Sequence, residues 1–132
     1  MSLSLVPTLF LLAAVSTPSA SASTPIPDAF QGRWDLKSVA CSNIESLGAV
    51  EIGKNRLDYW EATDEIISVE AERSDIIRLK VRSYDSNSDD PETARLVSLR
   101  LKLVDGGKHL KYQEKGKPSM TFARCMRATL TP

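Results

Sequence analysis

His109 is the only histidine, and it is the first residue to consider for acid–base chemistry. A general base needs a nucleophile or an orienting carboxylate beside it, and the sequence identifies no such partner for His109. The chain also contains no glycine-rich phosphate loop, no Gly-x-Ser-x-Gly and no Cys-x-x-Cys. The sequence therefore predicts that the protein is not an enzyme, that His109 lies on the surface, and that there is no catalytic residue.

Cys41 and Cys125 are the only cysteines. If the chain is exported to an oxidising compartment, two cysteines are typical of one disulfide; two unpaired buried thiols are the alternative. If both are bridged, a single histidine is too little to build the usual zinc or copper site. The sequence predicts a Cys41–Cys125 disulfide, no metal site and no cofactor.

Asp85, Asn87 and Asp89 have the 1, 3, 5 spacing of a loop that binds calcium through oxygen ligands. The sixth position of such a loop needs glycine for its sharp turn, and here it is Asp90. The twelfth position needs a bidentate glutamate, and here it is Leu96. The pattern is therefore more typical of a solvated acidic hairpin loop, with a weak cation site as the alternative.

Five cationic side chains are expected on one outer face, provided that the strands on either side of the acidic loop pair with each other. The same register places Glu70 near Arg78, which neutralises part of the charge. Outward charges often serve only solvation and protection against edge pairing. The functional alternative is a docking surface for an anionic partner such as an acidic protein or an envelope polymer. The five residues are Arg78, Lys80, Arg82, Arg100 and Lys102.

Trp60 is the other candidate for partner binding. Leu57 and Tyr59 alternate on one face of a predicted strand, so Trp60 falls on the opposite face. An exposed tryptophan is a common anchor in protein interfaces. The alternative is a tryptophan covered by a loop or by the N-terminal arm.

The N-terminal region has the features of an exported leader. Residues 2–22 carry no charged side chain, and their apolar stretch is shorter than the about 20 residues that span a bilayer. Ala20-Ser21-Ala22 matches a signal-peptidase site. We expect a signal peptide over residues 1–22 and a periplasmic or secreted protein; a disordered Ala/Ser-rich segment is the alternative. Residues 23–30 contain two prolines and are predicted to form an extended, mobile arm.

The charges of the chain balance, with 17 acidic and 17 basic residues. Binding to the phosphates of nucleic acid requires a strong excess of basic over acidic residues, so nucleic acid is not expected as the main partner. No further apolar run approaches membrane length, so no membrane span is expected. Residues 31–132 are long enough for one domain.

About eight strands with short turns follow one another after the arm. Alternation is clearest over 76–84 and 95–104, where every second residue is apolar. Weaker alternation predicts inward Trp34, Leu36 and Ser38 in the first strand. It also predicts inward Ile67, Val69 and Ala71 in the strand over 65–72.

The strongest local signal is Gly106-Gly107, which predicts a two-residue hairpin turn whose central residues both have positive φ. Pairing across this turn sets Leu103 opposite Leu110 and Leu101 opposite Tyr112, so apolar residues meet without adjustment. Hairpins with one apolar face must close or stack. We predict an all-β fold, an antiparallel up-and-down barrel of about eight strands, with a two-sheet β-sandwich as the alternative.

Gly32-Arg33-Trp34 on the first strand, ahead of an antiparallel meander, resembles the opening strand of lipocalin-like (calycin) barrels. It is also similar to small secreted bacterial inhibitors built on that barrel, which place an N-terminal arm before a Gly-x-Trp strand. The resemblance implies a closed barrel and a role in binding or in inhibiting a hydrolase.

These observations favour a monomeric, non-catalytic binding module. One function class is binding of a protein partner, including inhibition of a hydrolase, through the arm, the loop tips or Trp60. The other is carriage of a small apolar ligand in the barrel mouth. The short chain predicts an interior filled by its own Leu, Ile and Val side chains, which favours protein binding.

Overall fold

The computed structural model describes residues 2–4, 10, 24–85 and 94–126. Its strands form one closed antiparallel barrel in which each strand pairs with the next and β8 pairs with β1. This confirms the predicted up-and-down barrel over the sandwich. The strands are β1 (Gly32–Asp35), β2 (Ala49–Ile52), β3 (Arg56–Tyr59), β4 (Ala62–Arg73), β5 (Ile76–Asp85), β6 (Arg95–Val104), β7 (His109–Glu114) and β8 (Met120–Arg124).

Most of the predicted signal peptide lies outside the described residues, so the leader stays a prediction. Among the residues that the structure describes, no helix has the length and apolarity needed to cross a membrane.

The barrel interior is built from the alternating apolar residues of the long strands. Ile77, Leu79 and Val81 of β5 and Leu99 and Leu101 of β6 are at most 2% exposed, as their period of two predicts. They belong to one continuous cluster with apolar side chains from β1, β2, β3, β7 and β8. Burial of this cluster is the main term that stabilises the closed sheet.

The β6–β7 hairpin has the predicted register, with Leu103 opposite Leu110 and Leu101 opposite Tyr112. Gly106 and Gly107 have φ of 65° and 86°. These left-handed values favour glycine because it has no Cβ. The Lys108 N–H donates to the Asp105 carbonyl at 3.2 Å, which closes the turn. The primed-type turn is confirmed.

The barrel closes along the β1–β8 seam, where Trp34 pairs with Arg124. Cys125 follows β8, and its N–H donates to the Arg33 carbonyl at 2.9 Å. Cys41 lies in a 3₁₀ turn, Ser38–Ser42, after β1. The predicted disulfide is present, with the two Cα atoms 5.3 Å apart. It ties the loop over residues 36–48, which we call the tethered loop, to the end of the last strand.

Residues 24–30 differ from the extended, mobile arm that the sequence predicts. Asp28–Phe30 forms a 3₁₀ turn, and Ile26 and Phe30 are 1% and 0% exposed within the core cluster. The Ile26 N–H donates to the Lys54 carbonyl at 2.9 Å, and the Trp34 indole N–H donates to the Phe30 carbonyl at 3.0 Å. The segment therefore packs against one end of the barrel.

Arg124 fastens this end. Its guanidinium lies 4.1 Å from the centre of the Trp34 ring. The same group donates to the carbonyls of Ala29, Gln31 and Gly107 at 2.5, 3.2 and 2.9 Å. Burial lowers the pKa of Arg124. One side chain thus joins the N-terminal turn, the β6–β7 turn and the closing strand.

Two alternation patterns differ from the predictions. Strand β1 ends at Asp35, so Leu36 and Ser38 leave the sheet, and Leu36 is 45% exposed. In β4 the register shifts between Ile66 and Ser68, so Ile66 is buried and Ile67 lies in a bulge, 42% exposed. A bulge adds one residue and reverses the facing of the residues that precede it.

Candidate functional site: a basic groove on the outer face

A groove of about 470 Å³ runs across the outer face of β4, β5, β6 and β7. Four cationic side chains line it together with Ser68, Ser98, Gln113 and Glu70. The four cations are Arg78, Lys80, Arg100 and Lys115. We call this surface the basic groove.

Strand register builds the basic groove as two rows that cross the sheet. In the first row, Glu70 pairs with Arg78, Arg78 pairs with Arg100, and Arg100 pairs with Gln113. Outward residues of neighbouring strands stand side by side, so each row presents its side chains as a line across the strands.

The second row holds the lysines. Ser68 pairs with Lys80, and Lys80 pairs with Ser98. The row continues to Lys115, whose N–H donates to the Ser98 carbonyl at 2.9 Å. Two ammonium groups therefore alternate with two hydroxyl groups, all of which can donate to an anion.

Glu72 binds the two arginines of the first row. Its carboxylate contacts Arg78, and Arg100 Nη2 lies 3.2 Å from Oε2. Hydrogen bonding from Arg100, and then from Arg78, lowers the pKa of Glu72. Four cations against the carboxylates of Glu70 and Glu72 leave two positive charges on the groove. The lysine row carries most of the uncompensated charge.

The structure brings Arg78, Lys80 and Arg100 of the predicted stripe into one groove. Arg82 pairs with Glu65 and Leu96 further along β5, and Lys102 pairs with Ile76 and Lys111. Neither lines the basic groove. The pairing of Glu70 with Arg78 agrees with the predicted register, and Glu72 is an additional counter-ion.

Comparison with protein-family models, with curated proteins and with solved structures gave no match. The resemblance of Gly32-Arg33-Trp34 to lipocalin-like barrels therefore stays a prediction. The functional proposal below is based on the structure of this chain alone.

Lys115 was missed by sequence reasoning, although a signal for it existed. The hairpin register pairs Arg100 with Gln113. Lys115 lies two residues after Gln113, so the same alternation places it on the outer face beside Ser98. Ser68 had the correct facing, but its place opposite Lys80 depends on the bulge at Ile67.

Trp60 is 49% exposed and follows the end of β3, in agreement with the facing predicted for it. It lies away from the basic groove and lines a smaller one with residues of β1, β2 and β3. The two kinds of candidate binding residue therefore belong to different surfaces.

His109 is half-buried and pairs with Val104 across the hairpin, as predicted. The sequence did not identify a carboxylate for it, whereas Asp105 Oδ2 lies 2.9 Å from its Nδ1. Within the described part of the chain, Nδ1 makes no contact that has hydrogen-bond geometry. No nucleophile is paired with His109 by the strand register, which sets Val104 and Ala123 beside it.

Over residues 24–85 and 94–126, no three side chains of metal-binding type come together. Asn87, Asp89 and Asp90 of the candidate calcium loop lie outside the described residues, so the choice between a cation site and a solvated loop stays a prediction.

A polar group interrupts the apolar interior near the end of the barrel opposite Arg124. Asp64 of β4 is 4% exposed, and the hydroxyl groups of Tyr59 and Tyr112 lie 2.7 Å apart across the barrel. Burial raises the pKa of Asp64, while hydrogen bonding from Ser83 and Tyr59 and the charge of Arg95 act against the rise. Burial also raises the pKa of Tyr59, and it raises the pKa of Tyr112 to about 12.

Because the pKa of Asp64 is raised, the free energy of unfolding should depend on pH through this group. A carboxyl group whose folded pKa exceeds its unfolded pKa stabilises the fold below the unfolded value, and this stabilisation is lost as pH rises through the folded value. Asp64→Asn should therefore gain stability relative to the native chain as pH rises from acidic to neutral, by more than the about 0.5 kcal/mol typical of surface changes.

Urea unfolding at a series of pH values measures this difference. Asp85→Asn is the matched control, because it removes a carboxylate from an exposed position at the end of β5. A pH dependence that is the same for both variants would contradict a role for the burial of Asp64.

Proposed function

We propose that this chain is a non-catalytic, exported binding module that docks an acidic segment of a protein partner in the basic groove. The observation that carries the proposal is the pair of cross-strand rows, which gather four cations on one concave surface of a chain with no net charge. Inhibition of a hydrolase is one form that such docking would take.

The chemistry of the groove suits carboxylates. Arginine guanidinium and lysine ammonium groups form charge-assisted hydrogen bonds to carboxylate oxygens. The hydroxyl groups of Ser68 and Ser98 stand between the cations and add neutral donors. Charge complementarity of this kind guides the encounter of two proteins and fixes their register.

An acidic protein segment is favoured over a polyanionic polymer because the positive charge is local. Glu70 and Glu72 hold the net charge of the groove to two, and Glu65 stands beside Arg82 on the same sheet. A long polyanion would need a continuous basic track to gain from the release of many counter-ions. A short run of two or three carboxylates matches the groove.

The barrel interior weighs against carriage of a small apolar ligand. Its central positions are occupied by side chains that are nearly unexposed and that form one continuous cluster. The end beside Trp34 is covered by the 24–30 segment, whose Ile26 and Phe30 pack into that cluster. These features support binding on the outer surface.

Export rests on two supports. A disulfide is consistent with an extracellular or periplasmic location. The uncharged leader with its Ala20-Ser21-Ala22 site predicts a periplasmic or secreted protein. We propose that the exported form is a single-domain monomer.

Reversal of the lysine row should weaken binding of an acidic peptide. The combined substitution Lys80→Glu and Lys115→Glu is expected to lower the affinity for a hexaglutamate peptide by about tenfold or more, mainly through slower association. Calorimetric or NMR titration at two salt concentrations measures the effect, and the salt dependence of the native chain should exceed that of the variant.

Arg82→Glu combined with Lys102→Glu provides the matched control, since it makes the same change in net charge outside the groove. Equal losses in both double variants would mean a nonspecific charge effect and would reject the groove. Binding of dextran sulfate without binding of the peptide would reject an acidic protein as the partner. Thermal melts of both variants check that the barrel is intact.

A further inference from the structure

A second groove, of about 210 Å³, lies on the outer face of β1, β2 and β3. Its floor is a cross-strand row in which Arg33 pairs with Glu51, and Glu51 pairs with Asp58. The tethered loop supplies one wall through Ile44 and Ser46, and Trp60 also lines the space. We call it the tryptophan groove; it shares no lining residue with the basic groove.

The polar groups of the tryptophan groove include both donors and acceptors. Arg33 donates from Nη2 to the carbonyl of Asn43 in the tethered loop, which holds its guanidinium in place. The Nε of Arg33 is buried and has no hydrogen-bond partner among the residues that the structure describes. Buried donors are rarely left unpaired in folded proteins, so this N–H calls for an acceptor.

The acceptors stand beside it. The Asp58 carboxylate forms an ion pair with Arg56 Nε at 2.9 Å and accepts a hydrogen bond from the Thr63 hydroxyl at 3.2 Å. These two contacts fix its position. Glu51 is exposed and forms no ion pair with any residue that the structure describes. The groove therefore offers carboxylate oxygens next to a guanidinium, on one strand row.

This mixture of charges selects the class of ligand. Arg56 pairs with Asp58, so the charges left in the groove are the guanidinium of Arg33 and the carboxylate of Glu51, which cancel. A cation over Trp60 would gain from the aromatic face and from Glu51 but would be repelled by Arg33, and an anion would be attracted by Arg33 but repelled by Glu51. A neutral molecule that both donates and accepts hydrogen bonds satisfies all three groups, and one with an apolar face also covers the half-exposed indole.

We propose that the tryptophan groove binds a neutral sugar ring. The C–H face of the ring packs on Trp60, its hydroxyl groups donate to Glu51 and Asp58, and a ring or hydroxyl oxygen accepts from Arg33. The volume is below the about 300 Å³ at which pockets for drug-sized ligands begin. The groove thus holds one ring, and the rest of an oligosaccharide extends into solvent.

The proposal is tested by NMR titration of the disulfide-bonded protein with maltotriose, cellotriose and chitotriose. At least one should give saturable shifts of the Trp60 indole N–H, with a dissociation constant of about 1 mM. Trp34 is 0% exposed and should not respond, so it serves as an internal reference.

Trp60→Ala is expected to weaken binding by about tenfold, and Glu51→Gln by a smaller factor, because the amide keeps an acceptor but loses the charge. Leu96→Ala, which removes an exposed apolar side chain from β6, outside the tryptophan groove, should leave binding unchanged. Melting temperatures of the three variants verify folding.

Three outcomes would overturn the proposal. The first is the absence of saturable shifts with all three trisaccharides up to about 10 mM. The second is an unchanged affinity in Trp60→Ala. The third is stronger binding of tetramethylammonium than of any sugar, which would identify a cation site instead. None of these results depends on the basic groove.

Discussion

Replacing Cys41 and Cys125 together by serine is expected to lower the free energy of unfolding by about 4–5 kcal/mol. The bridge closes a loop between positions that are 84 residues apart, so it removes many extended states from the unfolded chain. A domain of this size is stable by about 5–15 kcal/mol, and the loss would leave it marginal. Urea unfolding of oxidised native protein and of the double variant measures the change.

The single variants provide the control. Cys41→Ser and Cys125→Ser each break the same bond, so each should lose nearly as much as the double variant, and the effects should not add. Native protein treated with a reductant should behave in the same way. A double variant within about 1 kcal/mol of the oxidised chain would contradict the assignment of a large stabilising role to the bridge.

The two grooves also differ in how much their structure depends on the disulfide. The basic groove is built by the register of β4 to β7 and by Lys115, which follows β7 and donates its N–H to the Ser98 carbonyl. The tryptophan groove needs Ile44 and Ser46 of the tethered loop, whose position depends on Cys41. Loss of the disulfide should therefore impair sugar binding before it impairs binding of an acidic peptide.

Local patterns predicted the features that local physics controls. Period-two alternation identified the inward residues of β5 and β6, and two adjacent glycines identified the β6–β7 turn and its register. The register then places Arg78 beside Arg100, so most of the first row of the basic groove follows from the sequence. The disulfide was predictable from the number of cysteines and from the expected leader.

Features set by distant contacts escaped prediction. Ile66 and Ile67 are both apolar, so composition does not decide which faces inward; the bulge decides it. The prolines before Phe30 indicate an extended chain, and only the contact with Trp34 shows that Phe30 is a core residue. The tryptophan groove depends on a loop that folds back onto the barrel, and no local periodicity encodes that path.

Phe30→Ala is the second prediction with a large expected effect, a loss of about 3–5 kcal/mol in the free energy of unfolding. Phe30 is 0% exposed and lies in the core cluster with Trp34, so truncation removes buried apolar area and leaves a cavity. Phe30→Leu keeps most of the volume and should cost less than about 1.5 kcal/mol.

The result separates two pictures of the N-terminal segment. If residues 24–30 were a mobile arm, Phe30→Ala would change stability by no more than the about 0.5 kcal/mol of a surface substitution, and would instead weaken partner binding. If the segment is part of the barrel, stability falls steeply while the basic groove, built from β4 to β7, keeps its affinity for the acidic peptide in the protein that remains folded. Urea unfolding together with peptide titration decides between them. A mobile arm predicts a loss of peptide affinity, and a packed segment predicts a loss of stability.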